Sequence, residues 1–547
     1  LSKRSWGHRM SASSEPTEEQ IWWYGFGGEL EQLTTEAGIA ILSAVLLIPM
    51  LPMVSHASHL SDKAPACTPS DMEPGWLKRE NALPGDKTWR TNLRKGFNGD
   101  GRYIRINVDK VFEERNQVVQ GWFDRESVTC GESVGLHLSG NGRNVVVDLY
   151  RLGYYKGTGA RKILSKEIPN VPAQKNVISG VDGLIKTEWP VSTMFDISPN
   201  FPPGQYEARL NDGGKTTFVP LTIRNDVSPD AAILVTSNLT WQAYNHFGGY
   251  SLYRGPAQGN SDRAKIVSFD RPYDGNGGGQ TLIHEYGLIR TIEKAGIDLA
   301  YTTDVDLDAN PLQLTKHKVV LLGGHSEYWT RSMRYGLLTA RNLGVNLINF
   351  GADTGNWKTV LRNNRREMVV YRDESDPFKD DPALVTNRWR DPPYAFPESE
   401  ILGASYAGLG VKDDYVVMKG SAWPFAGMKL DTGFSIKGVV GKEIDTTDLD
   451  PHPALQEFLS TVVKVRGEFR RVGMTYYTHN SSAGVINVST DGWVCGITNS
   501  CNWTKVPTQS SKLLAAITLN LVKEATKGPL GKMYPVEPTI APTDGTK

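Results

Sequence analysis

The sequence predicts a mixed fold in which an all-β sandwich precedes an α/β domain built on a parallel sheet. Two patterns carry this reading. Short period-two runs broken by Gly, Pro and Asn crowd residues 118–224, and from residue 231 onward apolar strand-like runs alternate with helically spaced ones. Composition is a third observation: 39% hydrophobic residues with 55 Gly, 31 Pro and 14 Trp in 547 residues describe a globular chain rich in strands and loops. That length accommodates two or three domains. Lys plus Arg (60) equals Asp plus Glu (60), so the balance gives no support for a nucleic-acid or membrane-surface partner.

In chain order, residues 1–57 read as a leader. Residues 37–54 (AGIAILSAVLLIPMLPMV) carry no charge, but Pro49 and Pro52 shorten the helix-forming part to about a dozen residues, which suits a signal peptide better than a membrane span. Ser55-His56-Ala57 supplies a small-x-small cleavage site. A secreted mature chain is expected, with a single-pass anchor as the alternative because acids dilute the basic leader. Residues 58–115 form an extension of unclear fold. Cys67, Cys130, Cys495 and Cys501 are even in number, and the last two can close a short loop in an oxidising compartment.

The sandwich is placed over residues 116–225. Val134, Leu136 and Leu138 alternate with Gly135, His137 and Ser139; Tyr206, Ala208 and Leu210 alternate with Gln205, Glu207 and Arg209; Val219, Leu221 and Ile223 continue the pattern. Such strands with close turn signals fit an immunoglobulin-like sandwich. The aromatic segment Tyr150 to Tyr155 inside it reads either as core or as binding surface.

The α/β domain is placed over residues 226–527. Its expected elements are a strand at 232–235, a helix over 280–295, strands at 299–301 and 317–322, a helix over 330–343, a strand at 345–350 and a final helix over 511–527. Residues 528–547, with Pro535, Pro538 and Pro542, read as a disordered tail.

Loops that leave the carboxyl ends of parallel strands are where open α/β sheets bind ligands. Here they carry Trp241-Gln-Ala-Tyr244-Asn245, Gly323-Gly-His325-Ser326-Glu327-Tyr328-Trp329 and Gly351-Ala-Asp353-Thr-Gly-Asn356-Trp357. The His and Glu of the second loop could equally cap the following helix. No cysteine occurs between Cys130 and Cys495, which excludes a thiol nucleophile there, and Ser326 lacks the second glycine of a nucleophile elbow. His-x-x-x-His and Cys-x-x-Cys pairs are absent, so the usual zinc sites find no support. The remaining Glu, Asp, His and Tyr are hard donors that suit a highly charged ion such as ferric iron, although a single Tyr is more often packed than ligating.

Taken together, Trp241-Gln-Ala-Tyr-Asn, Asp270-Arg-Pro-Tyr273, Tyr301-Thr-Thr-Asp304, the Gly323 to Trp329 turn, the Asp353-Thr-Gly-Asn-Trp loop and Arg151-Leu-Gly-Tyr-Tyr-Lys-Gly-Thr-Gly-Ala-Arg161 resemble the large (beta) subunit of N,N-dimethylformamidase. The resemblance spans about residues 118–527. It implies an amidotransferase-like three-layer α/β domain behind the sandwich, and hydrolysis of a small formamide, or another amide C–N bond, at a mononuclear Fe3+ centre. It carries the metal ligands onto Glu327, Tyr244 and, through the strand Gly204-Gln-Tyr206-Glu-Ala-Arg209-Leu210, onto Tyr206. His325 would position the substrate carbonyl or relay a proton, Glu443 would be the general base, and Asp353 would stand where relatives place an orienting amide. The chain departs from the family pattern at Ser326, often Asp, and at Lys442, usually Tyr. The implied partner is a small amide substrate; a homo-oligomer is compatible, and the family's small partner subunit has no visible substitute. An alternative of another class keeps the fold without the chemistry, as a secreted binding protein that holds glycan or wall polymer through Trp122, Tyr154 and Tyr155.

Overall fold

The computed structural model describes residues 73–94, 119–175, 177–257, 260–372, 375–501 and 503–543. The leader, residues 37–54 and Cys67 lie outside them. Largely apolar runs become strands buried on both faces: every residue of Ala232–Thr236, Leu299–Thr303, Val319–Leu322 and Asn346–Asn349 is buried. With Gly484–Asn487 these strands pair in parallel, in the order 299–303, 232–236, 319–322, 346–349, 484–487. Alternate residues serve opposite cores. Leu234, Val319, Leu321 and Ile348 face the helices Tyr286–Lys294 and Thr508–Ala525 through Leu288, Ile292, Leu514 and Ile517. On the other side Val235, Val320, Leu322 and Leu347 meet Met333 and Leu337 of the helix Arg331–Asn342. Thr330 starts that helix by accepting the Met333 amide at 3.2 Å.

The sheet is not wholly parallel. Beyond 484–487 it continues through Glu468–Thr478, Gln456–Val465, Asp413–Val417 and Ser435–Val440, all antiparallel. The reversal comes at the turn 479–483, closed by the His479 amide on the Ala483 carbonyl at 2.9 Å. Arg466 and Gly467, both in the left-handed region (φ 50° and 91°), then make the two-residue turn between 456–465 and 468–478. The expected helix over 280–295 is also broken, into Thr281–His284 and Tyr286–Lys294, with Glu285 between them at φ −121°.

Ahead of this part, a three-stranded sheet (Gln120–Phe123, Ser133–Ser139, Val191–Asp196) faces a five-stranded one (Ser127–Thr129, Val145–Leu152, Ala160–Ile168, Gly204–Asn211, Thr217–Arg224). Phe123, Leu136 and Leu138 from the first share one core with Val147, Leu149, Ala208 and Leu221 from the second. The sandwich aromatics are structural. Trp122 is 7% exposed and stacks on His137 at 3.9 Å, while Tyr155 is fully buried and donates to Glu80 at 2.7 Å. Trp122 and Tyr155 are therefore core residues and not a glycan-binding surface, while Tyr154 is half-buried.

Both parts belong to one compact unit. Their junction includes Arg151 and Glu293, an ion pair at 2.8 Å with neither side chain exposed. The helix Trp76–Asn81, from the extension of unclear fold, joins it: Asn81 donates to Glu293 at 2.8 Å and Trp76 enters the α/β core. The disordered-tail expectation also needs correction. Leu530–Met533 is helical with Leu530 buried, Tyr534 stacks on Trp423, and Ile540 bridges to Leu455. Prolines stop helices without preventing side chains from docking. Cys495 and Cys501 form a disulfide, in keeping with an extracytoplasmic setting. Among the described residues no helix is long and apolar enough to cross a membrane.

Candidate metal and catalytic site

Strand ends set the site. Tyr244 closes the helix Asn238–Tyr244 that follows strand 232–236. His325 and Glu327 follow strand 319–322, in a turn that ends in the short strand Tyr328–Trp329. That strand pairs in parallel with Trp357–Lys358, which ties the turn to the loop carrying Asp353. Glycine also lets the two loops approach closely: a Cβ on Gly351 would stand 2.1 Å from the Gly324 carbonyl oxygen. Asp491 follows strand 484–487 and precedes the helix Gly492–Thr498. Its amide donates to the Glu443 carbonyl at 3.3 Å, bringing in the strand Glu443–Thr446.

Around these loops the polar groups converge. The Tyr253 hydroxyl donates to Glu327 in a short hydrogen bond and accepts from Tyr328 at 2.8 Å. Tyr244 stacks on Tyr253, ring centroids 4.4 Å apart, and its hydroxyl lies 3.3 Å from His325 Nε2. On its other side His325 Nδ1 faces the Ala352 carbonyl at 3.3 Å and Asp491 Oδ1 at 3.6 Å. Asp353, with φ 52°, donates its amide to Asp445 Oδ1 at 2.8 Å. His325, Glu327, Asp353, Glu443 and Asp491 are each 3% exposed or less. Glu327 Oε2, Asp353 Oδ1, Glu443 Oε2 and Asp491 Oδ1 find no hydrogen-bond partner among the described residues. Ser326, buried in the same turn, accepts from Trp329 Nε1 at 3.0 Å.

Burial governs the electrostatics. It raises the carboxyls of Glu327, Asp353 and Asp491; carboxylate neighbours push Asp353 and Asp491 further, whereas His325 and Arg372 oppose the rise at Glu327. Burial followed by Glu327 raises the phenols of Tyr244 and Tyr253 well above 10. His284, its ring 5.2 Å from His325, is pushed well below 6.5 by burial and then by His325. Few cations answer these acids: Arg372 lies over the Tyr253 ring at 4.5 Å, and Lys442 Nζ is 3.7 Å from Glu443. Such a density of buried carboxyls is a place for a bound cation. One ligand atom each from His325, Glu443 and Asp491 lie within 4.8 Å of one another, so these three can hold a metal ion.

Of the residues singled out by sequence, the fold gathers Tyr244, His325, Glu327, Asp353 and Glu443 and leaves Tyr206 elsewhere. Tyr206 is buried in the sandwich core, where its hydroxyl donates to the Pro202 carbonyl at 2.7 Å. The tyrosine standing beside Glu327 is Tyr253, in an irregular segment with no sequence pattern to mark it. Asp491 is legible in principle. It comes after the apolar run 484–488, and reading that run as a strand puts it on the same edge as the other loops.

The chain matches the family model described as N,N-dimethylformamidase beta subunit-like, C-terminal, over residues 146–503, and it belongs to that family. No curated protein matches the chain.

Proposed function

We propose that this member of the N,N-dimethylformamidase beta subunit-like family hydrolyses the C–N bond of a small formamide or a related amide at a metal centre. The observation that carries the reading is the meeting of the Tyr244 and Tyr253 hydroxyls with Glu327 and His325 in a buried cluster. Two phenol oxygens and a carboxylate with an unpartnered oxygen form a hard donor set that fits Fe3+. Tyr244, Tyr253 and Glu327 would hold it, Tyr253 taking the place that the family resemblance gives to Tyr206. The bound ion would act as a Lewis acid toward the amide carbonyl. Helices on both faces of the parallel strands support an amidotransferase-like origin for this part, with the thiol replaced by hard donors.

The residues then divide the work. The Ala352 carbonyl and Asp491 face His325 Nδ1, which leaves Nε2 to receive the Tyr244 proton when that phenol ionises. Glu443 Oε2, buried and unpartnered, accepts a proton from the attacking water and returns it to the departing nitrogen. Formate and an amine balance the addition of one water to the amide. Asp353, kept neutral by burial and by Glu327 and Glu443, donates a hydrogen bond beside the base.

Purified protein is expected to carry one iron, to show a phenolate-to-iron absorption band, and to release formate from N,N-dimethylformamide. Tyr253→Phe should weaken the band and lower iron content. Glu443→Gln should keep both and lose roughly 100-fold or more in turnover. Iron-free protein with full activity, or activity indifferent to Glu327→Gln, would overturn the reading.

A further inference from the structure

A second group of buried oxygens lies behind the site, where the sandwich meets the α/β part. Glu207 projects from the sandwich strand Gly204–Asn211, is fully buried, and has both carboxylate oxygens without a hydrogen-bond partner among the described residues. Opposite it the glycine-rich segment 274–279 runs into the helix Thr281–His284. A Cβ on Gly278 would stand 3.4 Å from both Glu207 oxygens and 3.4 Å from Asn276 Oδ1, so backbone and two oxygen-bearing side chains crowd one point. The fully buried Thr281 hydroxyl is the nearest donor to Glu207 without closing a well-formed hydrogen bond to it, and Arg90 is the cation that acts on this carboxyl. Gln280 Oε1, at the same helix start, is likewise unpartnered. Four residues on, at the helix break, Glu285 is fully buried; Trp241 Nε1 donates to its Oε1 at 3.2 Å, while Oε2 is unpartnered.

We propose that Glu207 and Glu285, with the oxygens of Thr281, Gln280 and Asn276, bind a hard divalent cation, calcium by donor type and number, that clasps the sandwich to the α/β part. Buried carboxylates are costly, and Arg90 answers Glu207 alone, so a divalent ion would offset the negative charge that remains with Glu285. All the donors are oxygens, and calcium accepts six to eight of them in irregular arrangements that include neutral carbonyl and hydroxyl groups. Without a cation, burial raises both carboxyls well above their usual range. The site is separate from the iron donors yet adjoins them: a Cβ on Gly323 would lie 3.0 Å from Glu285 Oε1, so this oxygen cluster backs the turn that carries His325 and Glu327. It does not depend on the amidase reading.

The test uses the full chain as purified, treated with EGTA and titrated with calcium, following bound calcium by equilibrium dialysis and the thermal midpoint by calorimetry. One retained equivalent and a rise of a few degrees at millimolar calcium are expected, with magnesium less effective. Glu207→Gln, which replaces the carboxylate by a neutral isostere, should abolish both effects and leave the content of any bound iron unchanged; Thr281→Val should weaken calcium binding. Asp491→Asn, altering the other cation-attracting cluster, should retain the calcium response. No calcium bound, or a response lost in Asp491→Asn and kept in Glu207→Gln, would overturn the proposal.

Discussion

Asp445 shows how one buried carboxyl connects the site to pH. Its two oxygens accept the Asp353 amide at 2.8 Å and Asn487 Nδ2 at 3.2 Å, yet burial outweighs these bonds and pushes it up to about 7. A folded-state value raised above the unfolded one means that the folded state holds the proton more tightly. The stability from this group is therefore fully present below about pH 4 and is lost as pH rises through about 7, by up to about 4 kcal/mol. Urea unfolding of wild type and Asp445→Asn between pH 4 and 8 should show a steeper decline in the wild type. Parallel pH slopes would remove Asp445 as the cause. At this scale the sequence identifies Tyr244, His325 and Glu327 through motif and position after strands. Tyr253 is hidden because its approach to Glu327 depends on the course of an irregular loop.

Among elements, the paired loops after strands 319–322 and 346–349 define the pocket, and Gly351 sets their separation. Gly351→Ala would drive a methyl to 2.1 Å from the Gly324 carbonyl, and backbone cannot yield as a flexible side chain can. The expected outcome is a stability loss of about 1–3 kcal/mol together with weaker iron binding, read by calorimetry and metal analysis. Normal stability and full iron content would show that the loops tolerate separation. The strands and helices bounding these loops are legible from periodicity, since a run buried on both faces must be continuously apolar. The antiparallel half of the sheet escapes because a parallel reading carries past a hairpin whose alternation is local, and the break at Glu285 escapes because helical spacing continues through it.

For the whole molecule, the joint between sandwich and α/β part is built from buried charge. Arg151 meets Glu293 at 2.8 Å with both side chains fully buried, and Tyr301 and Asn81 also bind Glu293. Removing one partner strands the other in an apolar setting, which typically costs about 3–5 kcal/mol. Glu293→Gln should lower the thermal midpoint by several degrees and increase proteolysis at the joint, whereas a substitution on the sandwich face alone should do neither. An unchanged midpoint would show the pair to be dispensable.

The sequence by itself determined the order of parts, the main parallel strands and the loops that bear reactive groups, because burial imposes a local period and strand ends expose the residues after them. It also limited the chemistry by excluding a thiol and the usual zinc patterns. Tertiary structure decided which tyrosine stands beside Glu327, brought in Asp491, buried the sandwich aromatics and docked the proline-rich end. The physical reason is range: periodicity reports a residue's immediate chain neighbours, while hydrogen bonding and charge pairing join groups as far apart in sequence as Tyr253 and Glu327, or Arg151 and Glu293.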